Sequence, residues 1–222
     1  MIRRPRAASA DRTLRDLALA VVESADDRGV APIVHAGHPV LRGVATPFDA
    51  QLDDAELAAL LRVMRATMHA APGVGLAAPQ IGIPLALAVV EDPGMGSTDA
   101  AVVREREPLP FRVLVNPGYE GVGDERVAFY EGCLSVPGYT AVTARHRRVR
   151  LTGHDETGAA LDEVLTGWAA RIVQHETDHL AGTLYLDRAE PRSLAATDAI
   201  GARWAMEPTP ESAAAALGFS LG

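Results

Sequence analysis

The sequence predicts a single mixed domain of helices and short strands, and three observations carry that prediction. The chain has 222 residues, the size of one large domain. It is 48% hydrophobic and 23% charged, enough to bury a core and too apolar for general disorder. Its patterning changes along the chain, from helical spacing over 53–69 to short β-rich pieces separated by Gly and Pro.

Taken in order, the first dozen residues carry Arg3, Arg4 and Arg6 with no acid before Asp11. Such a start can serve as an organelle transit peptide. Asp11, Asp16 and Glu23 follow quickly, so residues 1–31 read instead as an N-terminal extension that turns helical near Asp11, with the cytoplasm as default location. From Asp53 to His69, the residues Leu57, Leu60, Leu61, Met64 and Met68 recur at helical spacing. Asp53, Asp54 and Glu56 stand in its first turn, where they favour the helix dipole, and Pro72 and Gly73 end it. Strands are expected over 85–90, 112–115, 126–130 and 149–152. Between the first two, residues 91–110 read as a long surface insertion, because they hold Pro93, Gly94, Gly96 and mixed charges over 104–107. A second helix is expected from about Asp162 to Leu180, closed by Gly182, and a third over about 193–204. Residues 205–222, with alanines at 213–216, read as a loosely ordered tail after a domain spanning 32–204.

Charge and composition exclude several function classes. The 21 basic residues, all Arg, are outnumbered by 29 acids, and a net charge of −8 argues against DNA or other bare nucleic acid as the main partner. No apolar run approaches the roughly 18–20 residues needed to span a bilayer, so no membrane partner is expected. With Cys133 the only cysteine, no intrachain disulfide can form.

The most informative segment is Gln174-His175-Glu176-Thr177-Asp178-His179-Leu180, a His-Glu-x-x-His pattern inside the second expected helix. At roughly 100° per residue, His175 and His179 differ by about 400°, so both imidazoles leave one face and can share a metal ion. Glu176 sits beside the first ligand, where its carboxylate can reach a water on the metal without closing the coordination shell. Two His leave such a site one protein ligand short. No His follows His179, and neither Asp187 nor Glu190 lies on a helix placed to return to the metal. Upstream, Glu131-Gly132-Cys133-Leu134-Ser135 follows an expected strand, and the Cys133 thiolate is the best available third ligand. A further segment, Gly73 to Gln80, joins glycines that permit close backbone approach to an amide that can donate to a developing oxyanion.

Together these three segments resemble, in order and separation, the signature motifs of the peptide deformylase family. The resemblance extends to His38-Pro39-Val40-Leu41-Arg42, to 110–117 and to Gly167-Trp168-Ala169-Ala170-Arg171. It covers roughly residues 32–204, and the last segment is most similar to the actinobacterial and organellar branch. It implies an α+β fold in which short, mainly antiparallel sheets pack around the His-Glu-x-x-His helix, with N- and C-terminal helices. It further implies that Cys133, His175 and His179 bind one divalent ion, Fe²⁺ in the cell with Zn²⁺, Ni²⁺ or Co²⁺ able to replace it, and water as fourth ligand. The implied reaction removes the formyl group from N-formylmethionine at the start of nascent polypeptides, giving formate. Glu176 would activate the attacking water, and the Gln80 side chain and Leu134 backbone N–H would hold the oxyanion. Gly73, Val74 and Gly75 would bind the extended substrate, and Val74, Phe129, Trp168 and Ile172 would line the Met pocket.

Some residues depart from that pattern or stand outside it. Arg171 occupies a place where many relatives carry an apolar pocket residue, and it is expected to pair with Glu131 while its stem lines the pocket. Asp178 either orients a ligand or pairs with Arg145 or Arg148, or else makes a helix-surface ion pair. His35, His38, His69, His146 and His154 are expected to take no part, and Ser135 has no base to make it a nucleophile. Action at the ribosome exit is also implied, but Glu207 and Glu211 follow Arg203 without any basic residue, so transient ribosome contact must be local rather than through a basic tail. Two other readings remain: a true metalloprotease, which shares the His-Glu-x-x-His pattern, and a non-catalytic relative that keeps the fold.

Overall fold

The computed structural model describes residues 6–204 and 207–221, with side chains from residue 13 onward. The side chains of Arg3, Arg4 and Arg6, on which the targeting alternative rests, lie outside the described residues. Helix α1 (Arg6–Ser24) starts earlier than Asp11 and buries Leu14 and Ala18 against α2 (Asp54–Ala70). The acids expected in the first turn of α2 form a capping box. Asp53 Oδ1 accepts from Glu56 N at 2.9 Å, and Glu56 Oε2 accepts from Asp53 N at 3.0 Å, so two orphan donors are satisfied reciprocally.

Strands β1 (Gly75–Ala77), β2 (Leu87–Asp92), β3 (Leu109–Gly121), β6 (Arg148–His154) and β7 (Ala160–Thr166) form one antiparallel sheet in the order β1-β2-β3-β6-β7. A second, three-stranded sheet pairs β4 (Arg126–Gly132), β5 (Tyr139–His146) and the two-residue β8 (Ala195–Ala196). β3 outruns its apolar core because it serves two partners. Residues 109–115 pair with β2, and after a register shift the rest pairs with β6. β2 reads as a continuous apolar run because both faces of the sheet are covered. Leu87 and Val89 point into the core beneath α1 and α2, while Ala88 and Val90 face α4 (Gly167–Leu180). That helix packs against β1, β2, β3, β5, β6 and β7, which places its His-Glu-x-x-His segment between the two sheets.

Three expectations need correction. Residues 162–166 are the end of β7, not the start of the second helix. Leu161, Glu163 and Leu165 alternate with exposed Asp162 and Val164 along a full ladder with β6, a period of two that tertiary pairing enforces. The third helix begins only at Thr197, as α5 (Thr197–Trp204), after a 3₁₀ turn and β8. The tail is not loose: α6 (Glu211–Leu217) buries Ala213 and Ala214, and the Arg192 guanidinium donates to the Leu217 carbonyl at 2.9 and 3.1 Å. The insertion, too, carries a helical turn, α3 (Asp99–Val103). Among the described residues no helix is long and apolar enough to cross a membrane.

Candidate active site

Helix α4 opens at Gly167, whose φ is +61° and whose amide donates to the Arg147 carbonyl at 2.9 Å. A Cβ there would also lie 2.4 Å from the Cβ of Glu105, so glycine is required both by conformation and by space. Two turns later His175 and His179 project together, with ring centroids 5.1 Å apart. β4 delivers Cys133 to the same point. Its strand ends at Gly132, and the following turn is closed by Val136 N donating to the Cys133 carbonyl at 2.9 Å. Cys133 Sγ lies 3.2 Å from His179 Nε2, and the ligand atoms of Cys133, His175 and His179 all fall within 4.8 Å of one another. His175 Nδ1 is 3.1 Å from Glu131 Oε2, which leaves Nε2 to bind. One thiol and two imidazoles suit a borderline-soft divalent ion.

Glu176 lies beside this cluster, 4% exposed, and its Oε2 has no hydrogen-bond partner. Burial pushes its carboxyl up to about 7, and a cation held by Cys133, His175 and His179 would act in the opposite sense. The space it occupies exists because residue 75 is glycine: a Cβ there would stand 2.3 Å from Glu176 Oε1. Gln80 is fixed on the other side. Its Oε1 accepts from Ala77 N at 2.8 Å, which turns Nε2 toward Cys133 Sγ at 3.6 Å and Ser135 Oγ at 3.4 Å. Ser135 is fully buried and accepts this bond from the Gln80 amide.

Behind the ligands lies a buried ionic network. Glu131 accepts from Arg145 at 2.8 and 2.9 Å and from Arg171 at 2.5 Å. Burial alone would raise the Glu131 carboxyl. Arg145, the His175 hydrogen bond and Arg171 outweigh that and hold it well below the usual carboxylate range. Arg171 also donates to the carbonyls of Thr143 and Val127. Asp178 proves buried rather than part of a surface pair. It accepts from Arg145 at 2.6 Å, from Arg188 at 2.7 and 2.9 Å and from the Tyr119 hydroxyl at 2.9 Å, and Arg148 takes no part in this network. Neither Arg188 nor Tyr119 was legible as a partner, since each is distant in sequence and no local pattern links it to Asp178.

The site opens into a cleft of about 810 Å³, with His179 and the Asp178 network behind its lining. Gly73, Val74, Gly75, Leu134, Trp168, Arg171 and Ile172 line it, along with Gln80, Glu131, Cys133, His175 and Glu176. Phe129 does not. It packs one layer back, its ring centroid 6.1 Å from that of Trp168. Other residues line the cleft that the sequence does not mark for the site, among them His35 at the exposed rim, Tyr130, and Arg106 from the insertion. His38 caps Val40 N at 3.2 Å and His69 pairs with Glu91 at 2.8 Å, both away from the cleft. His146 is on β5 and His154 on β6, and neither lines the cleft.

Comparison with known proteins agrees with this geometry. The family model for polypeptide deformylase matches residues 30–195. The chain is 59% identical to peptide deformylase 3 of Streptomyces avermitilis, over 97% of this chain and 99% of that protein. It is 61% identical to peptide deformylase 1 of Streptomyces coelicolor, over 87% of this chain and 88% of that protein. Among solved structures, the class I type b peptide deformylase of Acinetobacter baumannii with Met-Ala-Ser bound superposes with a TM-score of 0.65. It shares 33% identity and covers 72% of this chain and 98% of its own. The motif spacing, the antiparallel sheets around α4, the Cys/His cluster and these matches have one consequence: the chain belongs to the peptide deformylase family, metal-dependent enzymes that remove the formyl group from newly made polypeptides.

Proposed function

We propose that this enzyme hydrolyses the formyl group of N-formylmethionyl peptides through Glu176, Gln80 and Leu134, at a divalent ion held by Cys133, His175 and His179. The observation that carries this reading is the convergence of Glu176, Gln80, Cys133 and His175 in one cleft, with His179 within 4.8 Å of its fellow ligands, beside the edge of β1 that has no partner strand among the described residues. The ion in the cell is Fe²⁺, replaceable by Zn²⁺, Ni²⁺ or Co²⁺. When bound, it supplies Lewis acidity and makes a water acidic enough to attack near neutral pH.

The protein's own groups do the rest. β1 has β2 as its one partner strand among the described residues, so an extended peptide can pair with its other edge along Gly73–Gly75. The Met side chain enters between Val74, Ile172, Trp168 and the stem of Arg171, with Phe129 supporting Trp168 from behind. Glu176 takes the proton of the attacking water as the new C–O bond forms at the formyl carbon. It then passes that proton to the nitrogen as the C–N bond breaks, giving formate and a free amine. The formyl oxygen, gaining negative charge, receives the Gln80 amide and the Leu134 backbone N–H. The cytoplasm, where formylated chains are made, is the site of action. Any contact with the ribosome is local and transient and does not run through a basic segment, since Glu207 and Glu211 follow Arg203 without a basic residue.

The A. baumannii relative holds Met-Ala-Ser, the peptide that would remain after this reaction on formyl-Met-Ala-Ser. The test follows from it. The enzyme releases formate from formyl-Met-Ala-Ser and leaves the internal peptide bonds intact; internal cleavage without formate would instead indicate a protease. Gln80→Ala lowers kcat in the same assay by about 10²- to 10³-fold, the usual loss for one oxyanion donor. An unchanged kcat would remove Gln80 from the mechanism.

A further inference from the structure

Residues between β2 and β3 do more than cross the surface. Asp92, the last residue of β2 and 2% exposed, accepts both Nε and Nη2 of Arg106, at 2.8 and 3.0 Å. This fork ties the two ends of the excursion together. The return limb then lies along the start of α4. Arg147 donates to both oxygens of the Glu105 carboxylate at 2.7 Å, and the Glu105 carbonyl accepts from Trp168 N at 3.3 Å. Gly167 leaves room for Glu105 to come this close.

Trp168 is where these contacts converge. The Arg106 guanidinium carbon is 5.3 Å from its ring centroid and that of Arg104 is 5.5 Å away, while Arg171 approaches to 5.6 Å. Such distances are within cation–π range. Only Arg106 and Arg171 of these three also line the cleft, and Arg171 is already committed to Glu131 and two carbonyls. Arg106 has a single carboxylate partner, and that partner belongs to the insertion's own base.

We infer that Arg106, pinned by Asp92, is a specificity-determining residue: it holds the Trp168 indole as the far wall of the side-chain pocket and so sets the pocket's width. The 93–105 segment thereby acts as a brace for that wall. A wall held in place in this way favours a slender, flexible thioether side chain over a bulkier planar aromatic one. This inference rests on the deformylase reading for the identity of the side chain, but not for the existence of the wall.

The test compares wild type, Arg106→Ala, Arg106→Lys, Asp92→Asn and the double variant. Formate release from formyl-Met-Ala-Ser and formyl-Phe-Ala-Ser gives kcat and KM, and calorimetry gives Kd for Met-Ala-Ser. Arg106→Ala raises KM and Kd for the Met peptides roughly three- to thirtyfold, the range of one cation–π contact, with a much smaller change in kcat. The Met-over-Phe preference narrows by a similar factor. Asp92→Asn shifts the same quantities in the same direction, the double variant adds little to either, and Arg106→Lys restores only part because an ammonium cannot form the fork. Unchanged Kd and preference in Arg106→Ala would overturn the inference. So would a loss confined to kcat and melting temperature. If wild type released no formate, the deformylase reading would fail, and the Kd values for Met-Ala-Ser would still decide the role of Arg106.

Discussion

Glu176→Gln lowers kcat for formyl-Met-Ala-Ser by about 10²- to 10⁴-fold while KM changes little. Glutamine keeps the shape of the side chain and its place beside residue 75, but it cannot accept the proton of the attacking water. The loss therefore falls on the chemical step. Gly75→Ala is expected to reduce kcat as well without altering any ionisable group, because the added Cβ would stand 2.3 Å from Glu176 Oε1 and displace the carboxylate. Steady-state kinetics on both variants, with metal content measured on the same samples, checks this. Turnover of Glu176→Gln equal to wild type would rule out the proton transfer assigned here.

The second large effect is on stability. Arg145 is 1% exposed and bridges two buried carboxylates, Glu131 and Asp178. Removing one member of a buried ionic group leaves uncompensated charge and costs about 3–5 kcal/mol. Arg145→Met should therefore lower the unfolding free energy by that amount in a denaturant titration. Because Glu131 also orients His175, metal affinity should weaken by about 10- to 100-fold. Arg150 supplies the contrast. It pairs with Asp162 at 2.6 Å, but both side chains are 54% exposed, so Arg150→Ala produces no comparable shift. Equal effects from the two substitutions would contradict the structural weight given to the buried network.

What could be read from the sequence was whatever a local period or a local motif encodes. α2 announced itself through apolar spacing and its acidic first turn, and the metal-ligand geometry of His175 and His179 follows from four residues of helix. Cys133 stands out because two His ligands leave the site one short and no later His, Asp or Glu is placed to fill it. What escaped has a common cause: it is fixed by partners far away in sequence. The ladder with β6 makes a strand of 162–166, although Asp162 looks like the acid that opens a helix. β5 buries four consecutive residues, 140–143, and then Arg145, so it shows neither alternation nor a purely apolar run. α6 forms from a run of alanines too small to signal a core, two of which are nonetheless buried. Arg106 sits among mixed charges, and only the fork to Asp92 makes it part of the pocket.

The central claim is that one ion at Cys133, His175 and His179 serves the deformylation that Glu176 and Gln80 assist. The most direct measurement is a titration of metal-free enzyme with Fe²⁺ under anaerobic conditions, following formate release from formyl-Met-Ala-Ser. Formate release should rise in proportion to added metal and level off at about one ion per chain, the capacity of one four-coordinate site. Formate release that is already complete without metal, or that never appears at any loading, would contradict it.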